Sequence, residues 1–265
     1  MRNLTPALAA VAALLVAMRV GSVSAATETM VRLPAGAYVP FYSRDSNKTT
    51  RDGLHRPVAV KAFWLDRYPV TNAQFLNFVK HHPAWSRARV ASIFADAHYL
   101  AGWSSDFTLR DPGDSERPIT GVSWFAAVAY CKVQGKTLPT TDQWEYALAD
   151  RDRNPKALNA RILSWYGTSS AHALQLVQTA IPNGYGVAGM VGLVWEWTLD
   201  FNSLLSGPDL RNTGSGTDQK FCGGGSIGAR DASDYASFMR YSMRSSLKAS
   251  YTTNNLGFRC ALNAP

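Results

Sequence analysis

Hydrophobic positions repeat with helical spacing in at least three segments of the chain and with strand spacing in three shorter ones. In "YPVTNAQFLNFVKHH" the apolar residues Phe75, Phe78 and Val79 fall on one helical face. Thr71 and Gln74 precede that face at capping-box spacing, and Val70 is placed to staple against Phe75. A second helix is predicted after Ser123 in "GVSWFAAVAYCKVQGK", where Gly135 supplies a left-handed stop. The third opens in "LPTTDQWEYALAD": Thr140 and Gln143 repeat the box, and Trp144, Ala147 and Leu148 share a face. Strand patterns are confined to "MVRLPAGAYV", "VAVKAFWLDRYPV" and the terminal "LGFRCAL". Long segments bearing Gly, Ser and Asn separate them, so the pattern predicts an α+β fold rich in irregular loops.

The N-terminus has a different pattern. Met1 and Arg2 precede the apolar run "LTPALAAVAALLVAM", followed by "RVGSVSA" with small residues at Val23 and Ala25. This predicts a secretory signal over residues 1–25 and one domain over 26–265, placed in the periplasm or secreted. Arg19 interrupts an apolar run already shorter than the ~20 residues a span needs. No stable membrane insertion is expected after cleavage. The 46% hydrophobic content with 8 Trp argues against a disordered chain. Without Arg2 and Arg19 the 27 basic residues become 25 against 19 acidic ones, a net charge of +6 spread thinly. No Lys/Arg block with interleaved aromatics occurs, so nucleic acid is not expected as a partner.

Several chemistries are excluded by spacing. The histidines His55, His81, His82, His98 and His172 form no HxH or HExxH pattern for zinc. Gly223 to Gly225 form neither a GxGxxG nor a Walker phosphate loop, and Ser226 lacks the GxSxG context of a hydrolase nucleophile. Irregular loops nonetheless need their buried amides and carbonyls satisfied. The stretch "NGYGVAGMVGLVWEWTLD" suits a loop pinned by Trp195, Trp197 and the carboxylate of Glu196. Three cysteines, Cys131, Cys222 and Cys260, leave one over if two pair. Cys222, directly before the glycines, reads as a small buried residue, a reactive thiol or a single metal ligand.

Four blocks, "VSWFAAVAYCKVQGKTLPTTDQWEYAL", "NGYGVAGMVGLVWEWTLD", "GGGSIGA" and "NNLGFRCAL", together resemble the formylglycine-generating enzyme or sulfatase-modifying factor domain family. The resemblance runs from about Met30 to Leu262 and implies a variant of the C-type lectin-like fold. It implies a disulfide between Cys131 and Cys260, with Cys222 left as the free thiol. It also implies one weak calcium site at most, from Gly192, Val194 and Glu196, because Gly189 and Leu193 stand where the family has oxygen-bearing side chains. In formylglycine-generating enzymes a cysteine pair after the Gly-Gly-Ser element holds copper(I). Here those positions carry Ala229 and a residue between Asp234 and Ala236, so copper is not expected.

The positions matching the family's active-site surface are Trp195, Ser226, Arg230 and Arg244, the candidate catalytic residues. An arginine beside aromatic rings suits a carboxylate or phenolate, because guanidinium presents a planar fork of donors. Structural readings stand beside these: core packing for the tryptophans, and for Arg244 a buried ion pair with Asp200 or Glu196. Three roles follow. The chain is an exported oxidase or maturation enzyme without the copper thiolates, like relatives encoded with nitrite reductase or maturing the pyoverdine chromophore. Otherwise it is a non-catalytic accessory factor for a periplasmic metalloenzyme, or a lectin-like ligand-binding module. The expected partner in the first two is a periplasmic protein or small molecule.

Overall fold

The three patterned helices form where their caps place them in the computed structural model, which describes residues 29–39, 57–150, 155–167, 174–201 and 235–264. Helix α1 spans Asn72–His81, and both halves of its capping box close: Gln74 N–H donates to Thr71 Oγ1 at 3.3 Å, and Thr71 N–H to Gln74 Oε1 at 2.9 Å. Ser123 caps α2, Trp124–Val133, and the Thr140/Gln143 box starts α3, Thr141–Ala149. Among the described residues two further α-helices lie beyond the three patterned ones, α4 at Pro155–Tyr166 and α5 at Tyr235–Ser246.

The strand patterns hold but are subdivided. Pro34, which has no N–H to donate, separates β1, Met30–Leu33, from β2, Gly36–Tyr38. The second pattern becomes β3, Val58–Val60, and β4, Phe63–Asp66. A short hairpin follows, β5 at Trp103–Ser105 with β6 at Thr108–Leu109. Strand β7, Trp195–Glu196, pairs in parallel with β8, Leu256–Gly257. The C-terminal pattern then resumes as β9, Ala261–Asn263, which completes an antiparallel sheet of order β1-β4-β9.

Burial follows the predicted faces. Phe75, Phe78 and Val79 of α1 pack with Tyr130 of α2 and Phe258 in one core, where the Phe75–Phe78 and Tyr130–Phe258 rings lie 5.3 Å apart. Phe63 and Leu65 of β4 pack with Trp144, Ala147 and Leu148 of α3 and Ile162 of α4 in a second. Cys131 of α2 and Cys260, just before β9, are joined as a disulfide with Cα atoms 5.6 Å apart, both fully buried. The resemblance had implied this pairing. Among the described residues no helix is long and apolar enough to cross a membrane.

Candidate functional site

The two-residue strand β7 divides the Trp-Glu-Trp motif between two environments, because successive side chains of a strand point to opposite faces. Glu196 turns inward, while Trp195 is half-buried. The carboxylate of Glu196 accepts from Trp144 Nε1 at 2.7 Å and from Arg259 Nε and Nη2, each at 2.8 Å. Arg259 is wholly buried, and its other three N–H groups reach the carbonyls of Asp66, Arg67 and Ala188. All five guanidinium donors are thus used, which satisfies a charge that would be very unfavourable if left bare. Trp197 is core, fully buried, with Nε1 donating to Val122 carbonyl at 2.9 Å.

Trp195 faces a cluster built from α3, α4 and α5. Its indole is stacked on Tyr166 at 5.2 Å and 13°, and Trp165 leans on it at 5.4 Å. Beneath them lies a small cavity of about 10 Å³, with Ile162, Met190 and Val194 in its apolar wall and Arg240 as its charged lining residue. Glu145 of α3 holds both arginines of α5: it accepts from Arg240 Nε at 3.3 Å and Nη2 at 3.2 Å, and from Arg244 Nη1 at 2.5 Å. Arg244 also lies over the Trp144 ring, 4.8 Å from its centre, a cation–π geometry. Burial alone would raise the Glu145 carboxyl, but the charges and hydrogen bonds of Arg240 and Arg244 outweigh it and bring it down to about 2. Tyr38 donates to Asp142 at 2.8 Å nearby, and burial followed by the Asp142 charge drives its phenol far up.

The structure therefore places two of the four candidate catalytic residues in one neighbourhood, Trp195 at the cavity mouth and Arg244 against Trp144 in its wall. Ser226, Arg230, Cys222 and Ala229 lie outside the described residues. The ion-pair reading of Arg244 holds with a different partner. Glu145 takes the place of Asp200 or Glu196, while Asp200 accepts from the Thr141 N–H at 2.6 Å and Glu196 serves Arg259. Arg240, Trp165 and Tyr166 lie in no motif, and Glu145 sits within the third helix block without a role assigned to it. The recurrence of Leu158, Ile162 and Tyr166 at helical spacing after Pro155 is the one local signal that points to α4.

The three calcium positions lie next to the buried Glu196–Arg259 pair. Glu196 is the carboxylate of the set, fully buried against Arg259, and Gly192 and Val194 offer backbone carbonyls alone. Calcium takes 6–8 oxygen ligands. Gly189 adopts φ +70°, and a Cβ built there would lie 2.5 Å from Leu193 Cδ1. Leu193 is buried with Val177 and Val194, so apolar carbon fills the space that an oxygen-bearing side chain at 189 would enter. Among the described residues no three His, Cys, Asp or Glu side chains gather around a common point.

Comparison with known proteins places this architecture. Residues 18–264 match the model of the sulfatase-modifying factor enzyme 1-like domain. The chain is 31% identical over 290 residues to the formylglycine-generating enzyme of Streptomyces coelicolor, covering 90% of each protein. It is 28% identical over 287 residues to the inactive C-alpha-formylglycine-generating enzyme 2 of Bos taurus, covering 90% of this chain and 89% of that one. The solved structure of PvdO from Pseudomonas aeruginosa superposes with a TM-score of 0.51 at 16% identity, over 89% of this chain and 94% of that one. That likeness concerns the fold. The similarity thus extends to proteins named for the activity and to proteins named for its loss.

Proposed function

The chain belongs to the sulfatase-modifying factor enzyme 1-like domain family, and from that membership we propose that it acts as an exported maturation factor. It modifies or holds a periplasmic protein or small molecule and does not generate formylglycine. One observation carries this reading. Arg240 and Arg244 are held by Glu145 against Trp144 and the Trp195 cavity, while Ala229 and the 234–236 region of the sequence supply no sulfur for copper(I). Two guanidinium groups beside aromatic faces suit a planar ring bearing oxygen. An oxidative step, if this chain performs one, draws its redox chemistry from a co-reactant other than a dithiolate copper. The alternative role, a non-catalytic accessory factor for a periplasmic metalloenzyme, uses the same surface for binding. Calcium, on this reading, is held weakly at most.

The test is a deletion in the host, complemented with the wild type or with Arg244→Lys, and mass spectrometry of exported proteins and small molecules. A species whose mass changes only with the wild type is expected. No change in any exported species would refute the maturation role. In parallel, a sulfatase-type cysteine peptide incubated with the purified protein, copper and oxygen is expected to keep its cysteine. Formylglycine in that peptide would refute the second half of the proposal.

A further inference from the structure

Tyr166 lies flat on Trp195, 5.2 Å away with 13° between the planes, and it lines the same cavity as Arg240, whose charge acts on its hydroxyl. Trp165 leans on the same indole beside Tyr166, 5.4 Å from Trp195 and 5.7 Å from the Tyr166 ring. Burial outweighs the pull of Arg240 and leaves the phenol up at about 12, so it stays neutral at pH 7. A phenol ring laid on an indole, with its oxygen under the charge of a guanidinium, uses every recognition element of the cavity mouth. Other ligands use fewer. A cation would meet the guanidinium groups of Arg240 and Arg244, and a small carboxylate would leave the indole face unused. We propose that Trp195 and Arg240 form a binding site for a phenolic ring, and that Tyr166 of α4 is its built-in occupant.

This rests on the reading of the Trp195–Arg240 cluster as the working site, and it names the ligand class. Beneath the rings the cavity leaves room for little more than a water molecule, so a ligand ring replaces Tyr166 and does not enter beside it. An occupant that fills the site about nine-tenths of the time weakens apparent affinity about tenfold. The tether is the α4 face of Leu158, Ile162 and Tyr166, of which Ile162 is 1% exposed within the second core.

Titration of the full chain with p-cresol and with the peptide Gly-Tyr-Gly, followed by tryptophan fluorescence and calorimetry, tests this. Tyr166→Ala is expected to tighten p-cresol binding about tenfold over wild type, and Tyr166→Phe, which keeps the ring but loses the hydroxyl, about threefold. Toluene, lacking the hydroxyl, should gain less, and Trp195→Ala in the Tyr166→Ala background should abolish the gain. Near-UV circular dichroism checks the fold of each variant. Should Tyr166→Ala not fold, the milder Tyr166→Phe carries the comparison. A peptide bound at least as tightly as p-cresol assigns the ring to a protein tyrosine, and p-cresol alone to a small phenol. Equal p-cresol affinity in all Tyr166 variants that fold, or a gain that survives Trp195→Ala, overturns the proposal. A flat titration series alongside a mass change lost in Arg244→Lys would remove the phenolic site and keep the maturation role. Phenol binding with no mass change would do the reverse.

Discussion

Replacing Glu145 by Gln keeps the side-chain volume and removes the charge on α3 that Arg240 and Arg244 of α5 share. The carboxyl, 18% exposed, falls from its ordinary 4.5 to about 2 in the folded protein. At 1.36 kcal/mol per pH unit, this corresponds to about 3 kcal/mol of stability carried by the ionised form. A depressed carboxyl contributes that stability in full above the unfolded value near 4.5 and loses it as pH falls toward 2. The expected result is a Gln variant less stable than wild type by about 3 kcal/mol at pH 7, with the gap narrowing below pH 4.5 and closing near pH 2. Urea unfolding followed by far-ultraviolet circular dichroism at pH 7, 4 and 3 measures it. A gap under about 1 kcal/mol at pH 7, the level of a surface pair, or one that stays constant down to pH 3, would refute the reasoning.

Three other outcomes are expected. Reducing the Cys131–Cys260 bridge, whose sequence separation is 129, should lower stability by about 5 kcal/mol in the chain-entropy account, less any residual structure in the unfolded state. Non-reducing peptide mapping that finds both thiols alkylated in native protein would contradict the bridge. Gly189→Ala should lower stability by about 1–2 kcal/mol for the left-handed backbone alone, and more for displacing Leu193. Pairing it with Leu193→Ala should give less than the sum of the two single effects by thermal melts, and strict additivity would deny the contact. Melting in 1 mM calcium and in chelator should differ by about 1 °C, the effect of a site with millimolar affinity. A shift above about 5 °C would demonstrate a tight site.

Features that depend on a few consecutive residues were legible in the sequence. The boxes at Thr71/Gln74 and Thr140/Gln143 start helices because their hydrogen bonds close within four residues. The stripe Phe75, Phe78 and Val79 is buried because helical spacing alone puts it on one face. The family motifs carried the Cys131–Cys260 pairing, which no local pattern contains. Long strand patterns read as single units were cut, at Pro34 and between Gly257 and Ala261, where the chain leaves one sheet and joins another.

The identical tryptophans of Trp-Glu-Trp could not be told apart by type or by strand alternation; packing decided that Trp197 is core, against Phe201 and the Val122 carbonyl, and Trp195 half-buried, against Trp165 and Tyr166. Arg244 read as a candidate for chemistry or an ion pair, but its partner Glu145 lies 99 residues away on another helix. Arg259 and Glu196, 63 residues apart, meet for the same reason. Charge and hydrogen-bonding capacity belong to a residue and are visible in one dimension. Whether a capacity is spent on a buried neighbour or left facing a cavity depends on which distant segment packing brings within about 3 Å, the reach of a hydrogen bond.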